Sequence, residues 1–156
     1  MNLEKEYQLL EKQLIALIDK DEDMVTNLAN TSALLNQFLE NINWVGFYLV
    51  RGNTLHLGPF QGLPACVRIP FSKGVCGACA STLTTQRVDD VHQFPGHIAC
   101  DSASNSEIVI PIIINNQLFG VLDIDSPSFN RFTPQEGQYL ENFVKVLENE
   151  LSKIKA

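Results

Sequence analysis

Hydrophobic positions along the chain follow two different periods. In "MNLEKEYQLLEKQLIALIDK" Leu3, Tyr7, Leu10, Leu14 and Leu17 recur at steps of four and three, which places one apolar stripe on a helix. The pattern predicts a second helix over residues 24–42. The period then shortens. "WVGFYLVRGNTLHLGPF" reads as two β-rich runs around Arg51-Gly52-Asn53, with the Gly-Asn pair expected to supply the positive φ angles of a hairpin turn. "VRIP" forms a third short strand and leads into "FSKGVCGACASTL", where Gly74 and Gly77 loosen the entry to a short helix of small residues. After a loop over residues 89–105, "EIVIPIII" and "LFGVLDID" make a second hairpin. The chain closes on "TPQEGQYLENFVKVLENELSKIK", in which Thr133, Pro134 and Glu136 stand where a capping box with proline at the first helical position places them. Tyr139, Leu140, Phe143, Val146, Leu147, Leu151 and Ile154 are its expected buried face.

Terminal helices bracketing a largely antiparallel sheet predict an α+β fold. A single domain is expected, with helices over residues 1–42, sheet and pocket loops over 43–132 and a last helix over 133–156. The terminal helices can cover one sheet face only. The 89–105 segment and the cysteine helix are left to close the other, and a sheet face covered by loops is a common place for a ligand pocket.

The register of the second hairpin decides what faces that pocket. A three-residue connection over 115–117 groups Ile108, Ile110, Ile112 and Ile114 with Leu118, Leu122 and Ile124 on an apolar face. Glu107, Val109 and Ile113 then share the opposite face with Phe119, Val121, Asp123 and Asp125. A turn of Asn115-Asn116 alone would instead point Glu107 to the opposite face from Asp123 and Asp125, so the three-residue register, which gives the cleaner apolar face, is adopted. Three carboxyl groups projecting from one end of a sheet face need a cation or a shared proton, because like charges in a cleft raise one another's pKa.

Composition removes several function classes. At 156 residues the chain can bury roughly two thirds of its unfolded surface, enough to fold without staples. A net charge of −7 with no Lys/Arg run speaks against nucleic acid and anionic membranes as partners. The charged N-terminus resembles neither a signal peptide nor a membrane span, so a cytosolic location is expected. In a reducing compartment the four cysteines read as metal ligands, catalytic thiols or buried apolar residues rather than as a scaffold of disulfides.

Those three readings compete in "VCGACA" and "GHIACDSASNSE". Cys76-x2-Cys79 followed by His97-x2-Cys100 has nearly the spacing of a structural zinc site, which would make this a zinc-binding interaction domain. Against that, the first pair opens a helix rather than a knuckle turn, and Cys66 is left over. "CGAC" at a helix start also resembles a dithiol redox motif, although without the strand-first setting of a thioredoxin fold. Cys79 fits equally well as a small packed residue. His92 and His97 fit as hydrogen-bonded loop residues and receive no catalytic role.

Longer motifs narrow the choice. "WVGFYL", "LGPFQG", "ACVRIPFSKGVCG", "RVDDVHQFPGHIACDSASNSEIVIP" and "GVLDIDSP" together resemble the free methionine-(R)-sulfoxide reductases, enzymes built on a GAF domain, over nearly the whole chain from about residue 27. The resemblance implies a GAF-like fold and reduction of free methionine-(R)-sulfoxide. It implies Cys100 as the attacking cysteine and Cys66 and Cys76 as the cysteines that resolve the intermediate. Glu107, Asp123 and Asp125 match the family's substrate-binding carboxylates, and Trp44 and Tyr48 its pocket wall. Cys79 departs from the pattern and adds a thiol. The implied reductant is thioredoxin, with no metal or other cofactor.

That chemistry suits the residues. A thiolate attacks sulfur while the sulfoxide oxygen is protonated, and the resulting cysteine sulfenic acid is converted to a disulfide by a second thiol. An acid of the trio with a raised pKa could supply the proton, and the remaining negative charge would hold the substrate ammonium. Backbone amides of the small-residue run 101–106 are the expected partners of the substrate carboxylate, since no arginine stands out beyond Arg68. A GAF sensor module for small ligands is the alternative function, since fold alone does not settle activity. The stripe on the first helix offers a surface that could pair two chains.

Overall fold

In the computed structural model of the chain, residues 2–98, 100 and 102–154 are described. The first helix, α1 (Leu3–Leu17), starts at Asn2, whose side chain accepts from the Glu4 amide. Tyr7, Leu10 and Leu14 of its stripe are buried, whereas Leu3 and Leu17 at the two ends stay partly exposed. The centre of that stripe is therefore spent within the chain, chiefly on the C-terminal helix. The second helix, α2 (Met24–Phe38), is capped by Asp23 and stops short of the expected residue 42. Leu39 is extended there and Asn41 takes a φ of 57°, which turns the chain into the sheet.

Among the described residues six strands form one sheet in the spatial order β3-β2-β1-β6-β5-β4, numbered along the chain, and every neighbouring pair is antiparallel. They are β1 (Trp44–Arg51), β2 (Thr54–Gly62), β3 (Arg68–Pro70), β4 (Gln86–Val88), β5 (Ser106–Ile114) and β6 (Gln117–Ser126). The short helix α3 (Gly74–Thr82) lies between β3 and β4, and α4 (Pro134–Leu151) closes the chain. In the first hairpin Arg51 pairs with Thr54, and of the Gly52-Asn53 turn only Gly52 has positive φ. Asn53 does not share the left-handed conformation expected of both.

The second hairpin corrects the expected turn but keeps the faces of its acids. Ile114 pairs with Gln117 across a two-residue turn in which Asn115 and Asn116 both have positive φ, the pattern of a type I′ turn. A bulge between Ile112 and Ile113 then skips Phe119 on β6, because Ile113 pairs with Leu118 and Ile112 with Gly120. That extra residue supplies the one-position shift that a three-residue loop was expected to supply. Glu107 consequently pairs with Asp125 and Val109 with Asp123. Beyond the bulge the faces reverse: Phe119 packs with the helices and Leu118 with the opposite cluster.

Two apolar clusters flank the sheet. Ile108, Ile110, Ile112, Leu122 and Ile124 pack against α1, α2 and α4, with Leu140, Phe143, Val144 and Leu147 as the main α4 contribution. The Thr133 hydroxyl caps α4 by accepting from the Glu136 amide at 3.1 Å. On the same helix Glu136 is buried between two partners: the Tyr7 hydroxyl donates to its Oε2 at 2.7 Å and Arg131 Nη1 to its Oε1 at 2.6 Å. This ties α1 to α4. The opposite cluster holds Trp44, Tyr48, Val109 and Val121 from the sheet with Val75, Cys76, Cys79 and Ala80 of α3. Strand β4 lies at the sheet edge, within residues to which the sequence pattern assigned no element. No helix among the described residues is long and apolar enough to cross a membrane.

Candidate active site

Side-chain alternation brings the acids and the aromatics to one place. Glu107 on β5 and Asp123 and Asp125 on β6 share the sheet face turned away from the terminal helices. On β1, Trp44 pairs with Asp125 and Tyr48 with Val121, so both rings stand on that face beside the carboxyl groups. Glu107 and Asp123 are buried, with 6 % and 5 % exposure, and Asp125 is half-buried. A cleft here is lined by all five of these residues together with Cys76, Cys100, His97, Ser104 and the apolar Ala65, Ile69, Val75 and Ile98. The 89–105 segment and α3 do form its cover, although Ala99 and Asp101 lie outside the described residues.

Cys66 and Cys100, 34 residues apart in sequence, are joined by a disulfide across Cα atoms 5.4 Å apart. Cys100 lines the cleft, and Cys66 comes from the irregular segment between β2 and β3. Cys76, in the first turn of α3, is a buried free thiol. Cys79 is also free and fully buried among apolar side chains. The Cys76–Cys79–His97–Cys100 zinc quartet is not assembled, because the Cys100 sulfur is bonded to Cys66. His92 bonds Asn105 Oδ1 at 2.8 Å in an exposed setting. His97 lines the cleft, and partial burial together with nearby His92 holds its pKa below the usual value.

Burial and mutual repulsion set the protonation of the cluster. Desolvation, reinforced by Asp123 and Asp125, pushes the Glu107 carboxyl well above the usual carboxylate range. Burial also raises Asp123, but hydrogen bonds from Glu107 and Cys76 favour its charged form and offset part of that. Of the three acids Glu107 is therefore the one whose surroundings most favour the protonated form, while the hydrogen bonds from Glu107 and Cys76 favour charge on Asp123. Asp123 Oδ1 is buried with no hydrogen-bond partner among the described residues, so the cleft presents a charged acceptor that wants a donor. Burial and the same three acids push the Cys76 thiol far up, and burial pushes Cys79 up to about 12. Neither forms a thiolate readily.

Other residues of the cleft were not singled out by the sequence pattern. Ser104 is buried and its Oγ accepts from Asn43 Nδ2 at 3.1 Å; only its place in a small-residue run hinted at it. Val75 and Ile98 are isolated apolar residues in polar surroundings, a weak signal that becomes informative once both face the cleft. Of the 101–106 run, Asp101 lies outside the described residues, and the Asn105 amide is committed to the Ser126 carbonyl at 2.8 Å. Arg68 is exposed on the edge strand β3 and does not line the cleft.

Comparison with known proteins adds a family to this geometry. The GAF-domain family profile matches residues 23–151. A free methionine-R-sulfoxide reductase of Escherichia coli strain K12 is 52% identical over 152 residues, covering 97% of this chain and 92% of that protein. The X-ray structure of a free methionine-R-sulfoxide reductase from Neisseria meningitidis, in complex with its substrate, superposes with a TM-score of 0.91 at 40% identity, covering 98% of this chain and 92% of the other. The reduced form of the Staphylococcus aureus fRMsr gives a TM-score of 0.89 at 55% identity, with 93% and 94% of the two chains covered.

Proposed function

Because the chain belongs to the free methionine-R-sulfoxide reductases, oxidoreductases built on a GAF domain, we propose that it reduces free L-methionine-(R)-sulfoxide to methionine through Cys100. The observation that carries this reading is the Cys66–Cys100 disulfide standing at a cleft that also holds a buried, proton-retaining carboxyl cluster. Few activities need a thiol pair and a neutral carboxylic acid in one enclosure, and sulfoxide reduction needs both.

In this mechanism the Cys100 thiol gives up its proton to solvent and its sulfur attacks the substrate sulfur while Glu107 donates its proton to the sulfoxide oxygen, to be reprotonated from solvent before the next turnover. The oxygen passes to Cys100, methionine leaves, and Cys100 is left as a sulfenic acid. Cys66 then attacks the Cys100 sulfur: an S–S bond forms, the S–O bond breaks, and the oxygen leaves as water with the proton of the Cys66 thiol. An external dithiol, of the thioredoxin class in the cytosol, returns both cysteines to thiols and takes the oxidation away. Cys76 is the poorer resolving group, since its thiol is buried among acids that disfavour the thiolate. It acts instead as a donor to Asp123.

The remaining contacts select a free amino acid. Asp123 Oδ1 and Asp125 hold the α-ammonium. The Ser104 hydroxyl accepts from Asn43 and keeps its own proton for the α-carboxylate. Trp44, Val75 and Ile98 enclose the thioether end. The test is turnover with a dithiol reductant on the separated R and S epimers of free methionine sulfoxide. Turnover of R with little of S is expected, because the S oxygen points away from Glu107. Absence of turnover on both would remove the proposal in favour of a GAF ligand sensor.

A further inference from the structure

Cys66 sits on a stretch that has little reason to hold still. Between Gly62 at the end of β2 and Arg68 at the start of β3 the backbone makes no strand pairing. Leu63 and Val67 are 64% and 61% exposed. Only Ala65 and Cys66 are half-buried, against the cluster on the α3 side, so burial orders this segment in part, and a thiol on a loosely held loop would meet its partner only part of the time.

Among the described residues three hydrogen bonds tie the stretch down. One is a backbone bond from the Leu57 amide to the Val67 carbonyl at 3.0 Å. The other two come from side chains of β1: Trp44 Nε1–H donates to the Leu63 carbonyl at 3.1 Å, and the Tyr48 hydroxyl donates to the carbonyl of Cys66 itself at 2.8 Å. Trp44 and Tyr48 are four residues apart on one strand, so they rise from the same face, and their rings stack at 5.8 Å. Both are nearly inaccessible, and their strand is paired on both sides by β2 and β6, which makes them rigid posts. Gly62 completes the anchorage. Its φ is +138°, and a Cβ there would come within 2.6 Å of the Trp44 ring, so the chain can leave β2 across that ring only as glycine.

We infer that Trp44 and Tyr48 are positioning residues for disulfide closure, fixing the backbone at Leu63 and Cys66 so that the Cys66 thiol stays within reach of Cys100. This is separate from lining the cleft, and it rests on the sulfenic acid chemistry proposed above. The step served is attack of Cys66 sulfur on Cys100 sulfur with loss of water. The indole N–H and the phenol O–H take no part in its bonds; they set how often the two sulfurs meet.

The test is the lifetime of the Cys100 sulfenic acid in a single turnover without reductant, read by quenching with a diketone that traps sulfenic acids and by mass spectrometry. Wild type, Tyr48→Phe and Trp44→Phe are compared, each with Cys66 present and in a Cys66→Ser background. Because the lifetime is counted from the formed sulfenic acid, slower substrate binding does not enter it. With Cys66 present, each substitution should lengthen the lifetime about threefold to tenfold, the effect of one lost hydrogen bond on how well the loop is held. In the Cys66→Ser background the same substitutions should change nothing. Wild-type lifetimes in both variants would overturn the inference, as would equal lengthening with and without Cys66, which would mark a disturbed cleft. If no sulfenic acid forms on the Cys66→Ser chain, the parent reading fails and takes this inference with it.

Discussion

Glu107 on β5 and Asp125 on β6 are cross-strand partners, so two carboxyl groups meet at a position where sheets normally avoid like charges. Desolvation and the neighbouring aspartates hold the Glu107 pKa well above the ordinary carboxylate value, and favouring the protonated form relieves the repulsion within the pair.

The sign of the resulting stability effect is fixed by that direction. A raised folded-state pKa means that the folded chain holds a proton the unfolded chain releases once pH exceeds about 4.3. Stability is therefore lost as pH rises from there through the Glu107 value, with a slope of up to about 1.4 kcal/mol per pH unit. Glu107→Gln removes the Glu107 share of the loss and leaves the smaller share that comes from Asp123, whose pKa burial also raises. Urea unfolding of both proteins across pH should show a stability gain for the variant that widens with pH, while its kcat/KM falls by about two to four powers of ten for want of a proton donor. A gap independent of pH would mean that Glu107 is not the proton-holding member.

The carboxylates also define the substrate. N-acetylation removes the ammonium that Asp123 Oδ1 and Asp125 are proposed to meet, leaving a buried acceptor without a donor at about 1–3 kcal/mol per contact. Free methionine-(R)-sulfoxide should thus exceed its N-acetyl form by roughly one to two powers of ten in kcat/KM per lost contact. Asp123→Ala or Asp125→Ala should lower the free substrate far more than the acetylated one. Equal activity of the wild type on both would leave the acid cluster without a role in selection.

Far from the cleft, Tyr7→Phe tests the link between α1 and α4. The hydroxyl it deletes donates to buried Glu136 Oε2 at 2.7 Å, so unfolding should become easier by about 1–3 kcal/mol. The kcat/KM should not move, because none of these groups lines the cleft. Chemical denaturation and steady-state assays on the same preparation check both halves.

Much of this was legible in the order of residues, and the exceptions share a cause. Placing Glu107 with Asp123 and Asp125 needed only strand alternation and the demand for one wholly apolar face, so it survived the wrong turn. The bulge at Phe119 was invisible because nothing in "NNQLFGV" separates an extra loop residue from an extra strand residue. Helix α2 ends early because Leu39 stays buried in an extended segment, which helical spacing cannot distinguish from one more turn. Strand β4, three residues at the sheet edge, is too short for any period. The pairing of Cys66 with Cys100 over Cys76 depends on tertiary placement. The pattern drew attention to "CGAC" on its helix, whereas Cys66 lies on an irregular stretch held by side chains of a distant strand.

The division of labour among the cysteines is the centre of the account, and one experiment addresses it. Fully reduced protein is mixed with excess free methionine-(R)-sulfoxide and no reductant; methionine released per chain is counted, and the oxidised cysteines are mapped by mass spectrometry. The wild type should release one methionine per chain and form the Cys66–Cys100 disulfide. Cys66→Ser should still release one, while Cys76→Ser and Cys79→Ser should behave nearly as the wild type. Cys100→Ser should release none. A full first turnover by Cys100→Ser, or a wild-type disulfide that joins Cys100 to Cys76 instead of Cys66, would contradict it.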